Sequence, residues 1–234
     1  MKIGNIITFG TYFKNRISYG EYTSEPIEWV VLDIKDGKAL LLSRYALDGG
    51  IPFEKVRRDT VWGDCSIRRW LDETFLNAAF DEKEKRKIAR ITLPAEVGNS
   101  LSFASRDRIF LLSVGEVGGY LTVEQSACYP TDYAKDKTAL LTSSDGHCAW
   151  WLRSSGMSHE WAAYVDEDGV INDEGFMANR SFYGIRPAMW IYDDARELTD
   201  EEYTKRNFAE LNAGLDEAKA ALDELKRKLA SDKQ

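Results

Sequence analysis

Ala149-Trp-Trp-Leu-Arg153, Trp161-Ala-Ala-Tyr-Val165 and Ile185-Arg-Pro-Ala-Met-Trp190 are short apolar and aromatic runs of strand length, crowded into the later part of the chain. Asp168-Gly169, between the second and third runs, is a hairpin-turn signal. Working outward, Ile27-Glu-Trp29-Val-Val31 and Leu32-Asp-Ile34 are β-rich. Asp36-Gly37 then turns the chain, and Ala39-Leu-Leu-Leu-Ser43 returns it. Arg108-Ile-Phe-Leu-Leu-Ser113 is a further buried-strand candidate, and residues 1–10 read as a first strand. Between these β regions, residues 66–80 predict a helix: Ser66 can cap it, and Ile67, Trp70, Leu71, Phe75, Leu76, Ala79 and Phe80 share one broad face. Asp81 with Glu84 three residues on forms a capping-box pattern for a second, short helix. Residues 114–145, rich in Gly, Ser, Thr, Asp and Tyr, read as a long structured loop region. Segregated elements of this kind give an α+β fold, not a doubly wound sheet.

The 234 residues suit one large domain with an appendage, and 44% hydrophobic content with seven Trp is ample for a packed core. A net charge of -8 removes the basic footprint of a nucleic-acid binder and disfavours anionic membrane surfaces. No stretch approaches the roughly 20 apolar residues of a membrane span, and the N-terminus does not read as a signal peptide. Cytoplasmic location is therefore the expectation. Cys65, Cys128 and Cys148 are too few and too widely spaced for a disulfide framework, and three reduced buried thiols fit them best.

Composition shifts after Asp194, which places a domain over 1–195 and a helical arm over 196–234. Thr199 can cap a helix with an acidic first turn (Asp200, Glu201, Glu202) and Lys226, Arg227 and Lys228 near its end. Phe208, Leu211, Leu215, Ala218, Leu222, Leu225 and Leu229 alternate three- and four-residue steps, a heptad stripe. Asp223–Arg227 and Glu224–Lys228 are candidate i,i+4 pairs, worth a few tenths of a kcal/mol each. The stripe must be covered, either by its own domain, by a second copy or by another helix.

Signals for catalysis are absent. Gly115-Glu-Val-Gly118-Gly119 is neither a dinucleotide fingerprint nor a P-loop, and no nucleophile elbow or metal-ligand spacing occurs. His147 adjoins Cys148, but neighbours in a strand point to opposite faces. Asp166-Glu-Asp168 and Asn172-Asp-Glu174 offer oxygens that calcium could use, without any EF-hand order. No catalytic residue, cofactor or resident metal is expected.

The runs around Trp29, Leu40–Ser43, Ser66-Ile-Arg68-Arg-Trp70-Leu71, Phe110-Leu-Leu-Ser113, Trp150-Trp-Leu-Arg153-Ser154 and Gly184-Ile-Arg186-Pro-Ala-Met-Trp190 together resemble a bacterial domain-of-unknown-function family over roughly residues 3–192. That family is similar in turn to the C-type-lectin-like fold of formylglycine-generating enzymes and of the variable proteins of diversity-generating retroelements. The resemblance implies a C-type-lectin-like domain with its first and last strands close together and a binding face between the WWLRS and RPA strands. Carried onto this chain, that face comprises Ser158, His159, Glu160, Trp161, Asn172, Asp173, Glu174, Phe176, Asn179, Arg180, Ser181 and Tyr183, with Trp161 and Tyr183 as anchors. The calcium-dependent lectin signature and the cysteine arrangement of formylglycine-generating enzymes are both missing, which weakens sugar binding and oxidase activity.

The expectation is thus a non-enzymatic module binding a protein or small ligand, possible homo-oligomers forming through Phe208, Leu211, Leu215, Leu222, Leu225 and Leu229. An enzyme of the formylglycine-generating type and a structural scaffold are the alternatives. Trp150, Trp151, Arg153, Arg186 and Trp190 read as frame: rings in the core, guanidinium groups on loop carbonyls or a carboxylate. If residues 158–183 are core, the 114–145 region is the next place to look for a site.

Overall fold

Asp36 (φ 50°) and Gly37 (φ 68°) both take left-handed backbone, as a two-residue hairpin turn requires. They join β2 (Glu21–Lys35) to β3 (Lys38–Ser43), so the turn between Ile27 and Ser43 stands as read. The computed structural model describes residues 1–96, 99, 101–193 and 199–231, apart from the side chains of 217, 221, 224, 225 and 228–231. Two compact units result, Met1–Asp193 and Asp194–Gln234. The expected boundary at 195 falls among residues 194–198, outside the described residues.

In the first unit, β1 (Ile6–Ser18) runs much further than the first ten residues and pairs antiparallel with β2. After β3 come the short β4 (Asp48–Gly49) and a helical stretch built of α1 (Ser66–Trp70), a π turn (Leu71–Phe75) and α2 (Leu76–Ala79). Ile67, Leu71, Phe75, Leu76 and Ala79 are buried there, as the face pattern required. Ser66 is not its cap. Cys65 holds that position without a side-chain bond, while the Ser66 hydroxyl donates to Glu54 Oε1 at 2.8 Å. α3 (Glu82–Lys87) does begin with the Asp81–Glu84 capping box.

A two-stranded ribbon, β5 (Ile91–Leu93) with β6 (Ser105–Asp107), precedes β7 (Ile109–Phe110). Residues 114–145 carry three helices, where the composition had suggested loop: α4 (Val114–Tyr120), α5 (Val123–Ser126) and α6 (Asp132–Lys137). Ser113–Glu116 and Thr122–Gln125 form reciprocal capping boxes, and the Thr131 hydroxyl caps the third. These caps offset the poor helix propensity of Gly115, Gly118 and Gly119.

β8 (Trp150–Ser155), β9 (Trp161–Val165) and β10 (Ile171–Met177) follow, then β11 (Gly184–Ile185) and β12 (Ala188–Tyr192). The 185–190 run is two strands, not one. Pro187 lacks an N–H for either ladder, and there the chain leaves one sheet for the other. One sheet has the order β1-β2-β3-β12-β7; the other is β10-β9-β8-β11-β4, with β11 parallel to β8. Trp29, Leu40, Leu41, Leu42, Phe53, Phe75, Phe110, Trp150 and Trp151 are fully buried in one shared core, with Trp190 half-buried against it. The Met1 amino group lies 3.3 Å from an Asp193 carboxylate oxygen, so the first and last segments of this unit meet.

The second unit is α7 (Asp200–Ser231), 32 residues and about 48 Å at 1.5 Å per residue. Thr199 and Glu202 exchange capping bonds at its start. Asp223 pairs with Lys226 at 3.4 Å instead of Arg227, whose Nε donates to the Asp223 carbonyl. The side chains of Glu224, Lys228, Leu225 and Leu229 lie outside the described residues. Phe208, Leu211, Leu215 and Leu222 are exposed, Phe208 at 65%. Among the described residues no helix is long and apolar enough to cross a membrane.

Candidate functional site

Residues 158–183 form a turn after β8, the β9–β10 hairpin and the loop into β11. Ser158, His159, Asp173, Glu174, Asn179 and Arg180 are exposed; Glu160, Trp161, Asn172, Phe176 and Ser181 are half-buried. Trp161, Phe176 and Phe182 make an aromatic row, with ring centroids 6.2 and 5.9 Å apart. The exposed Met157 (75%) stands near its start in sequence. β10 bulges between Asn172 and Phe176, where Gly175 holds φ 80° and a Cβ would lie 2.6 Å from the Ala162 carbonyl oxygen. Glu160 pairs with Arg57, and the His159 carbonyl accepts the Thr60 amide at 2.7 Å, docking this turn on the 57–60 segment. Tyr183 does not belong to the surface. It is buried, its ring 3.9 Å from that of Trp151, and burial pushes its hydroxyl pKa up. It is a core residue, not an anchor.

The acidic stretches serve their own turns. Asp166 Oδ1 accepts the amides of Asp168 (3.0 Å) and Val170 (2.8 Å), and Asn172 Oδ1 accepts that of Gly175. Among the described residues no group of three or more His, Cys, Asp or Glu is placed to hold a metal ion. Thermal unfolding in chelator and in millimolar calcium should therefore coincide. A site filled at 100 times its Kd would add about 2.7 kcal/mol, so a clear calcium-dependent rise in melting temperature would promote Asp166, Asp168, Asn172 and Asp173 to ligands.

The hairpin's own depression, lined by Arg57, Thr60, Glu160 and Asn179 among others, encloses only about 10 Å³, at most a single water. A cavity of about 480 Å³ lies elsewhere. The N-terminal segment (Ile3, Gly4), β2 (Val30, Leu32), the residues just after β3 (Arg44, Tyr45), the α4–α5 bend (Tyr120, Leu121, Glu124, Gln125, Ala127) and Tyr129, His147 and Arg186 form its wall. The Tyr129 and His147 rings lie 4.0 Å apart between centroids, tilted by 38°. Lys14 and Arg44 sit over the Tyr45 ring at 5.1 and 5.3 Å, and Arg44 pairs with Glu28. The Tyr120 hydroxyl donates to Asp33 at 3.1 Å; burial, then that carboxylate, raises its pKa. The Thr122 hydroxyl donates to Glu124 at 2.8 Å, which holds that carboxyl below its usual range.

Arg186 is the deepest polar group of this wall, 3% exposed. Its Nε donates to the Ser43 carbonyl at 2.9 Å and its Nη1 to those of Gln125 (3.3 Å) and Ser126 (3.2 Å). Its guanidinium lies 5.0 Å from the Trp150 ring centroid. It bonds backbone carbonyls, but those at the ends of β3 and α5, not the loop carbonyls or the carboxylate expected. Cys128 and Cys148 lie behind the wall, both buried, with the Cys148 amide on the Cys128 carbonyl at 2.8 Å. Burial raises the Cys128 thiol, but the Cys148 thiol's hydrogen bond and Arg186 outweigh it and bring it below the usual value. Burial pushes the Cys65 thiol up to about 12.

A family model described as a domain of unknown function (DUF6273) matches residues 36–192, more than half of the chain. The chain belongs to the DUF6273 family. No curated protein and no solved structure matches it. All twelve residues of the 158–183 face lie inside the DUF6273 region. The cavity straddles its edge: Ile3, Gly4 and Val30 to Leu32 precede the region, while Arg44, Tyr45 and residues 120–186 of the wall belong to it. Sequence reasoning had Arg186 and the 114–145 region in view, but not Tyr45 or Tyr129 as wall residues. No spacing links positions as far apart as 3, 45, 121 and 186.

Proposed function

We propose that the chain is a non-enzymatic ligand-binding module of C-type-lectin-like, formylglycine-generating-enzyme-like architecture, with its ligand in the cavity walled by Arg44, Tyr45, Tyr129, His147 and Arg186. The observation carrying this is the cavity itself. Its volume of about 480 Å³ falls within the ~300–1,000 Å³ of small-molecule sites, with an apolar wall and a few convergent polar groups. The architecture is supported by two packed sheets and by first and last segments that meet. Binding is favoured over catalysis because the wall's candidate acid–base groups are engaged apart from each other, His147 with the Tyr129 ring and Glu124 with the Thr122 hydroxyl. The test is a small-molecule thermal-shift screen on the full chain, repeated on Leu121→Trp, which narrows the cavity. Compounds that stabilise the wild type and not this variant support the reading; hits that ignore the substitution overturn it.

A second reading, a protein-binding face at 158–183 of the kind found on diversified retroelement proteins, is favoured by the Trp161–Phe176–Phe182 row and by exposed Met157, near to it in sequence. Retention of a partner by the wild type and its loss in Trp161→Ala would select this reading. On either reading a second copy is the partner expected for α7. Its first turn is acidic and its last turns basic, which matches an antiparallel pair, and the exposed Leu stripe is costly to leave in water. Deleting residues 198–234 should lower the mass measured by light scattering by a whole copy as well as by the missing residues. Unchanged stoichiometry of a soluble truncated chain would show that the arm does not oligomerise it.

A further inference from the structure

Arg186 is a buried cation whose hydrogen bonds go to neutral groups. Its acceptors are the carbonyl oxygens of Ser43, Gln125 and Ser126, and its face rests on the Trp150 ring. None of these bonds uses Nη2. Among the described residues no carboxylate forms an ion pair with it, whereas Arg153, the other arginine of the late strands, has Glu116. Taking a guanidinium out of water without a carboxylate partner is expensive; the Cys128 thiol that Arg186 makes more acidic offsets part of that cost, and an anion delivered to Arg186 recovers more. The cavity that Arg186 lines offers an open approach to it.

The placement of charge in the wall points the same way. Arg44 is exposed and paired with Glu28, and Glu124 is exposed, so Arg186 is the buried charge of the recess. A charge walled by low-dielectric groups is screened far less than one on the surface. Ile3, Val30, Leu32, Leu121 and Ala127 supply apolar surface to the recess, and the tilted Tyr129 and His147 rings supply an aromatic one.

We infer that the cavity takes a small organic monoanion with a planar, apolar body, its anionic group seated at Arg186 and its ring against Tyr129 and His147. Nη2, the nitrogen that the carbonyl bonds leave unused, suits a carboxylate oxygen through a charge-assisted N–H bond. Glu124 opposes a second negative charge. This inference rests on the cavity being the binding site, and deepens that reading by naming the ligand class.

The test uses the full chain and matched probes that differ only in charge: benzoate with benzamide, phenylacetate with phenylacetamide, indole-3-acetate with indole-3-acetamide, and inorganic phosphate alone. Affinities are measured by calorimetry at about 50 mM and about 500 mM NaCl, across which screening grows strongly. At least one acid should bind about tenfold more tightly than its amide at low salt, as expected for a charge-assisted contact in a buried site. Higher salt should narrow the gap. Leu121→Trp should abolish binding of both members of that pair. Arg186→Gln should remove the preference for the acid. Because Arg186 also ties three segments together, Arg44→Gln, at a partly exposed position, provides a second variant that should narrow the preference without unfolding the chain.

The outcomes separate. Acid and amide binding equally, with both lost in Leu121→Trp, would overturn the anion class and leave the site standing. Phosphate matching the best acid would overturn the requirement for an apolar body. Failure of every pair to bind at about 10 mM, beyond the ~1 mM that marks weak small-ligand binding, would overturn both the class and the site.

Discussion

Trp151→Ala is expected to cost about 3–5 kcal/mol, a large share of the stability of an ordinary domain. The ring is fully buried, with Phe53 at 6.0 Å, Tyr183 at 3.9 Å and Tyr164 at 6.4 Å between centroids, so truncation empties a space bounded by three rings. Trp150→Ala should cost as much by a different route. Its Nε1 donates to the Ser126 carbonyl at 3.0 Å, and its face carries Arg186. Substitution with Phe separates the two. Trp151 Nε1 has no hydrogen-bond partner, so Trp151→Phe removes volume and also relieves a buried, unpaired N–H. Trp150→Phe removes volume and a made bond, and should be the worse by about 1 kcal/mol. By contrast, Ala at Ser158, His159, Asp173, Glu174, Asn179 or Arg180 should stay within about 0.5 kcal/mol. Tyr183→Ala belongs with the tryptophans. Urea denaturation of single variants measures all of these, and a 158–180 set as damaging as the tryptophans would make that face part of the core.

What was legible in the sequence was local. Asp36-Gly37 fixes a turn through backbone that few residue pairs adopt, and Asp81 with Glu84 fixes a helix start through two reciprocal bonds. The same kind of signal at Ser113–Glu116 and Thr122–Gln125 was present but outweighed by the surrounding glycines. The distal part of the first hairpin, around Asn15 and Thr23, was hidden because it is exposed and polar on both faces and so lacks an alternating pattern. Splitting of the 185–190 run needed only weight on Pro187. The cavity was a different matter. Its wall is assembled by sheet pairing and by the α4–α5 bend, and its deepest group, Arg186, looks in sequence like any arginine beside a proline. Tyr183 misled for a related reason: an aromatic in a polar loop is equally at home as an anchor or as a core ring, and only the neighbouring Trp151 decides.

Arg153→Met is expected to cost about 2–4 kcal/mol, the lower range for breaking a buried ion pair because Glu116 keeps some contact with water. Arg153 is nearly buried on β8. Its Nη1 donates to the Leu111 carbonyl at 3.0 Å and to Glu116 Oε2, its Nη2 donates to Glu116 Oε1 at 3.0 Å, and its guanidinium lies 5.8 Å from the Phe110 ring centroid. The same Glu116 carboxylate accepts the Ser113 amide at 2.8 Å, closing the capping box of α4. One carboxylate therefore fastens a strand to the start of a helix, and α4 in turn leads into the bend that walls the cavity. Methionine keeps most of the stem's packing, so its cost isolates the lost charge and bonds. Glu116→Gln retains an acceptor for Ser113 and should cost about 1–2 kcal/mol. If the pair acts as a unit, the double variant should cost less than the two single changes together by about 1 kcal/mol or more, since neither charge is then left without its partner. Chemical denaturation of the four proteins measures this coupling. Strict additivity would show that Arg153 and Glu116 stabilise the unit through their separate backbone contacts and not through each other.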